Sequence, residues 1–236
     1  MILRSCALLF LACSLAASLA ARSAYATETR VGEAVVIQND VARVAGASTN
    51  PVNVGDSMLR DEVVRTGTDS AARFVMADST NLSIGPSATI KLDRTVFNDE
   101  HSYRDIAIRL TSGAFRFVTG HSEKAAYKIT TPLATIGVRG TILDILSQRG
   151  RTTVVLQEGA ASVCTLSFQC IQLTQPGDTA IITSAGRTTI QKTRGTAWNF
   201  AATCAQAAGL CAVSNYADAS PTITPPVDDG GILCGR

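Results

Sequence analysis

Apolar residues at every second position, broken by a turn about every ten residues, constrain this chain more than any other feature of its sequence. Ala72, Phe74 and Met76 fall on one side of a run, with Arg73 on the other. Leu82 and Ile84 flank Ser83, Ile90 and Leu92 flank Lys91, and Phe115 and Phe117 flank Arg116. Ile106, Ile108 and Leu110 alternate with Ala107 and Arg109. Successive side chains of a strand point to opposite faces, so period two predicts strands with one buried face. Turn chemistry punctuates the runs at Asn39-Asp40, Gly85-Pro86, Arg149-Gly150-Arg151, Glu158-Gly159 and Pro176-Gly177. Val54-Gly55-Asp56 and Pro176-Gly177-Asp178 read as equivalent turns. No long helical periodicity precedes residue 195. The expectation is an all-β fold, a single domain of many short, mostly antiparallel strands built as a sandwich or β-roll.

The ends of the chain differ from its middle. Arg4, an apolar run from Cys6 to Leu19 and Ala24-Tyr25-Ala26 follow the order of an export signal, with cleavage expected after Ala26. Residues 1–26 are therefore expected to be a signal peptide, 27–193 the β domain, and 194–236 an Ala-rich helix followed by a flexible tail. Within that last part, Trp198 to Leu210 is alanine-rich and expected to pack Trp198 onto the sheet. From Ser214 onward the chain is rich in Pro, Thr, Asp and Gly. The leader carries Arg4 and Arg22 and no acid, so the 21 basic residues drop to 19 against 19 acidic ones. A balanced charge gives no electrostatic reason to expect nucleic acid or an anionic membrane as partner. Nor does any other apolar run reach membrane-spanning length. The expected location is the periplasm or the medium.

Of the seven cysteines, Cys6 and Cys13 lie in the leader, which leaves five. An exported chain favours disulfides, and the spacings suit no zinc site. Cys164 and Cys170 flank a short stretch between two strand-like runs and are expected to staple a hairpin. Among Cys204, Cys211 and Cys234 the spacing does not choose a pair.

The stretch Thr130-Thr-Pro-Leu-Ala-Thr-Ile-Gly-Val-Arg-Gly-Thr141 sets two glycines three residues apart around Val138 and Arg139. Glycines inside a strand-like region suggest a bend or a close approach of backbone. A second set of blocks lies upstream: Gly55-Asp56, Arg65-Thr66-Gly67 and Asp78-Ser79. Between the two sets lies Leu110 to Phe117, and Val154 to Val163 follows. In this order the blocks resemble the FecR periplasmic-domain family over about Val31 to Thr193. The family signature maps to Thr131, Pro132, Gly137, Val138, Arg139, Gly140 and Thr141. The family turn motif maps to Gly55, Asp56, Arg65, Thr66, Gly67, Asp78 and Ser79. Two departures stand out: Ser79 where the family has glycine after the turn aspartate, and Leu143 where it often has phenylalanine. The first suggests a turn of another type. Arg139 has two readings. It pairs with a buried acid such as Asp144 or caps carbonyls at the bend, which is the favoured reading, or it offers its guanidinium to a carboxylate or acidic glycan.

No nucleophile elbow, phosphate-binding loop or His-Glu-x-x-His motif is present. His101, among Asp99, Glu100 and Asp105, has neither calcium-loop nor zinc spacing, and His121 reads as a loop residue. The chain is therefore expected to be no enzyme, with no catalytic residue, cofactor or metal. The resemblance implies an envelope interaction or sensing module whose partner is a protein or cell-wall component. Two alternatives stay open. One is a signalling subunit of an iron-uptake type system held by an uncleaved N-terminal anchor; the other is an envelope polysaccharide hydrolase.

Overall fold

The computed structural model, which describes residues 29–99, 102–123, 126–195 and 198–203, turns the alternating runs into strands of one branched sheet. In chain order these are β1 (Arg30–Gln38), β2 (Val41–Ala45), β3 (Ser48–Pro51), β4 (Ser57–Leu59) and β5 (Val63–Thr66). β6 (Ala71–Met76), β7 (Asn81–Ile84), β8 (Thr89–Asp99), β9 (Ser102–Val118) and β10 (Tyr127–Thr130) follow. The last are β11 (Ala134–Gln148), β12 (Arg151–Thr165), β13 (Cys170–Leu173), β14 (Asp178–Ala185) and β15 (Arg187–Arg194), and then a short helix, α1 (Phe200–Thr203). Cys204, Cys211, Cys234 and His101 lie outside the described residues.

β9 is the branch point. Its first half pairs with β8, which leads through β5 to β2 and β3. Its second half pairs with β7, which leads through β6 to β1 and β4. β10 wedges between β9 and β11, parallel to β9 (Tyr127 opposite Ile106) and antiparallel to β11. Every other strand pair is antiparallel among the described residues. The alternating apolar positions all turn inward. Phe74, Leu82, Ile84, Ile90, Ile108, Phe115 and Phe117 are buried in one continuous cluster that also takes in Ile136, Ile145 and Ile182. Burying a side chain of this size contributes roughly 1.5–3 kcal/mol.

Arg116 departs from the alternation rule. It lies between Phe115 and Phe117 and points to the opposite face, yet it too is buried. Its Nε and Nη2 donate to the two carboxylate oxygens of Asp144 at 2.6 and 2.7 Å. Gln157 Nε2 and the backbone N–H of Phe200 donate to the same carboxylate at 2.9 and 3.2 Å. The Phe200 ring lies 5.6 Å from the guanidinium carbon, within cation–π range. This second face was expected to receive Trp198. The fully buried ring is instead Phe200, packed with Ala71 and Ala114, while Trp198 is half-buried and donates to Thr203 Oγ1 at 2.6 Å. The Phe200 backbone N–H also reaches the buried carboxylate, which ties its inner position to the Arg116–Asp144 pair.

The turns refine the expectations. At Asn53–Asp56 and Gln175–Asp178 the aspartate N–H donates to the carbonyl three residues back, at 3.1 and 2.9 Å. Gly55 and Gly177 hold φ of +88 and +85° at the third position, so the two turns are equivalent as read. Glu158-Gly159, by contrast, is no hairpin turn. It lies within β12, opposite a break in register between Arg139 and Ile142. At the Asp78 turn Ser79 adopts φ +65°, the left-handed geometry that glycine prefers, so the missing glycine leaves the conformation in place. A non-glycine residue there costs about 1–2 kcal/mol, partly offset by its lower unfolded-state entropy. Ser79→Gly is expected to raise stability by about 0.5–1 kcal/mol in urea denaturation.

Asp178 anchors the β14–β15 edge. The Lys192 ammonium, at 2.8 Å, and the N–H groups of Thr174 and Gln175 hold its carboxyl down to about 2, against the opposing effect of burial. An unfolded aspartate titrates at about 3.9. The stabilisation is therefore complete above that value and is lost as pH falls from about 4 toward about 2. Unfolding midpoints measured across this window should fall more steeply for the native chain than for Asp178→Asn.

Candidate functional site

The signature segment splits into parts with different work. Thr131 caps the turn before β11: its Oγ1 accepts from the N–H of Ala134 at 3.0 Å, and its N–H donates to the Ala134 carbonyl at 2.8 Å. Pro132 is exposed at that turn. Val138 is buried in the core. Thr141 is buried, and its N–H donates to Thr119 Oγ1 at 2.8 Å, which ties the far side of the register break to the end of β9.

The two signature glycines differ in kind. Gly140 has φ +59°, and across the break Gly159 has φ +82°. A Cβ on Gly159 would lie 1.9 Å from the Gly140 carbonyl oxygen, so the two backbones touch where the long strands bulge. Gly137 has no such role. Its backbone is ordinary strand, and a Cβ there would meet nothing within 4 Å. The expectation that both glycines serve the backbone holds for Gly140 and fails for Gly137.

Register shows what Gly137 does. Lys128, Gly137, Ser162 and Gln172 stand side by side across β10, β11, β12 and β13. Within that row Gly137 alone lacks a side chain. It lines a groove of about 530 Å³ together with Tyr127, Arg139, Ala160, Ser162 and Gln172. Arg139 is exposed, and no ion pair joins it to any described residue. The Asp144 expected as its partner is taken by Arg116. The guanidinium is therefore placed at the groove with its donors unspent on a carboxylate. A second depression, lined by Asp93, Ala107, Arg109, Lys128 and Thr130, differs in this respect. There Asp93 already accepts from Lys91 at 2.8 Å and from Arg109 at 2.6 Å. The Lys91 hydrogen bond, foremost, holds the Asp93 carboxyl below its usual range, and Asp93 raises Lys91 in turn.

The turn-motif residues are brought together with the groove only in part. Asp78 is buried; its Oδ2 accepts from Tyr127 Oη at 2.5 Å, Ser122 Oγ at 2.7 Å and Thr80 Oγ1 at 3.0 Å. Burial, and then this bond to a carboxylate, push the Tyr127 hydroxyl up to about 12. The Tyr127 ring meets Phe117 edge-on at 5.6 Å. Asp78 thus fixes the Tyr127 wall of the groove from the far side. Thr66 instead bonds the β7–β8 turn, donating to the Gly85 carbonyl at 2.7 Å and accepting from Ala88 at 2.9 Å. Gly67 donates to the Asp40 carbonyl at 2.9 Å, and Arg65 is exposed on β5. Gly55 and Asp56 lie on the β1–β4 side and line no part of the groove. The exposed His121 donates its N–H to the Asp78 carbonyl at 2.8 Å.

Cys164 and Cys170 form the expected disulfide, facing one another across β12 and β13 with Cα atoms 4.0 Å apart. Sequence reasoning did not single out Tyr127, Ala160, Ser162 or Gln172 as groove residues, because cross-strand neighbours are invisible without the register. Among the described residues no group of three or more His, Cys, Asp or Glu is placed to hold a metal ion, and no helix is long and apolar enough to cross a membrane.

No curated protein matches this chain. Two crystal structures of a candidate anti-sigma factor from Parabacteroides distasonis are similar to it, at 14% and 13% identity with TM-scores of 0.48 and 0.45. In each case the likeness covers 57% of this chain and 60% of the other. The family match is narrower than the Val31–Thr193 resemblance: it takes in Arg65–Gly67, Asp78–Ser79 and Thr131–Thr141 and leaves out Gly55–Asp56. Over residues 62–162, the stretch that builds most of the groove, the chain is a match to the FecR protein family.

Proposed function

We propose that this protein is a non-catalytic interaction module of the bacterial envelope, regulatory or sensing in role, that holds a protein or cell-wall partner in the groove beside Arg139. The observation that carries this reading is the exposed Arg139 guanidinium, unpaired among the described residues, next to a floor left open by Gly137. A guanidinium fork in that position suits a carboxylate on the partner. The expected export signal and the Cys164–Cys170 bond, which persists in an oxidising compartment, support a location outside the cytoplasm. The FecR match over residues 62–162 supports a regulatory role over a catalytic one.

The test is crosslinking in intact cells, followed by mass spectrometry, for the native chain, Gly137→Val and Arg139→Ala. Both variants should melt within about 0.5 kcal/mol of the native chain, because neither residue is used by the fold. Both should lose the crosslinked partner, and Arg139→Lys should recover it only in part, since an ammonium lacks the planar fork. Unchanged capture by both folded variants would refute the reading.

A further inference from the structure

The disulfide hairpin that forms one wall of the groove ends in a tip with unusual exposure. Phe168 is 89% exposed and Leu166 64% exposed, two of the three large apolar residues left in water among the described residues. Phe168 also holds φ +61°, a geometry that bulky side chains rarely adopt. The tip is not loose. Thr165 N–H donates to the Gln169 carbonyl at 2.9 Å, Phe168 N–H donates to the Thr165 carbonyl at 3.0 Å, and the disulfide closes the loop. The loop therefore expends backbone strain to keep an aromatic ring in solvent, rigid and pre-organised for contact.

The groove offers what this ring lacks. It has room, small residues at Gly137, Ala160 and Ser162, and an unpaired guanidinium, which attracts the face of an aromatic ring. The tip joins β12 and β13, two of the four strands that line the groove. The Ser162–Gln172 pair is one pleat from the Cys164–Cys170 pair that carries the tip. A two-fold axis between two such hairpins allows each tip to face the other's groove, in a closed, self-complementary contact. From Cys164 to Gly177 the chain carries no charged residue, so the tip brings no charge of its own beside Arg139. A lipid surface is less suited to this tip, because the basic side chains that lie against the hairpin, Lys192 and Arg194, are already paired with Asp178.

We propose that two copies of this chain associate by exchanging tips: Phe168, with Leu166, of one copy seats in the groove of the other and stacks on Arg139. The inference uses the groove of the proposed function but needs no cellular partner. A dimer of this kind covers the groove, so a partner must displace the second copy.

Sedimentation equilibrium of the full chain, purified without reductant, tests this at concentrations on the order of 100 μM. The native chain should dimerise. The double variant Leu166→Ser, Phe168→Ser should weaken the dimer about tenfold or more, as loss of a buried aromatic anchor does. Gly137→Val, which fills the groove without touching the tip, should weaken it comparably, and Arg139→Ala by about fivefold. Mixing the tip variant with the groove variant should restore a heterodimer through the one remaining contact. Thermal melts control for folding. A monomeric native chain overturns the proposal, and cosedimentation of that monomer with neutral phosphatidylcholine vesicles through Phe168 would assign the tip to a lipid surface. A dimer lost with the tip but untouched by Gly137→Val overturns it in favour of tip-to-tip contact. A dimer indifferent to both variants overturns it too. If the dimer fails while Gly137→Val still loses the cellular partner, the inference alone falls. A dimer that behaves as expected beside unchanged cellular capture removes the proposed function and leaves the self-association.

Discussion

Gly159→Ala is expected to lower the unfolding free energy by about 3 kcal/mol, more than a valine at either signature glycine. Two costs add. The residue holds φ +82°, where an L side chain is strained. The added methyl carbon would also sit 1.9 Å from the Gly140 carbonyl oxygen and 2.8 Å from its carbon, both backbone atoms that move only if the strands part. Gly140→Val should cost less, about 1–2 kcal/mol, because its φ of +59° is strained but the space around it is open. Gly137→Val should cost almost nothing, and a β-branched residue in a strand offers a slight gain. Denaturant melts of the three variants check this order. A Gly159→Ala chain that melts like the native one would mean that the bulge opens freely.

Asp144→Ala is expected to cost about 3–5 kcal/mol, because it leaves the Arg116 guanidinium inside the protein without its carboxylate. The pair is buried on both sides, with side-chain exposures of 5% and 0%. The same substitution removes the acceptor of the Phe200 N–H and of Gln157 Nε2, so the segment Trp198–Thr203 should loosen with it. The double variant Arg116→Met, Asp144→Leu should recover most of the loss, since replacing a buried pair by apolar groups of similar volume is often neutral. Near-ultraviolet circular dichroism from Trp198 reports that segment, and urea melts report the stability. If Asp144→Ala and the double variant lose equally, packing matters here and the uncompensated charge does not.

Most of the strand content was legible in the sequence. Ala72, Phe74, Met76, Ile106, Ile108, Leu110, Phe115 and Phe117 alternate in the chain and are buried in the structure, because period two is a local property of an extended backbone. The Cys164–Cys170 bond was legible for a similar reason: six residues across a turn leave few other partners. The family resemblance was readable from short blocks in order, and the match falls on residues 62–162.

Tertiary structure decided the rest. Arg116 reads as a solvent-facing residue between two phenylalanines, and only the pairing of β9 with β11 brings Asp144 opposite it. The same pairing takes Asp144 from Arg139 and leaves that arginine at the groove. Gly137 and Gly140 look alike in the chain, three residues apart, yet one leaves space in a four-strand row and the other bends the strand against Gly159. Periodicity names the face on which a side chain lies. What lies opposite it depends on register between strands far apart in sequence, here Asp144 from Arg116 and Gly159 from Gly140, and a local pattern carries no information about that distance.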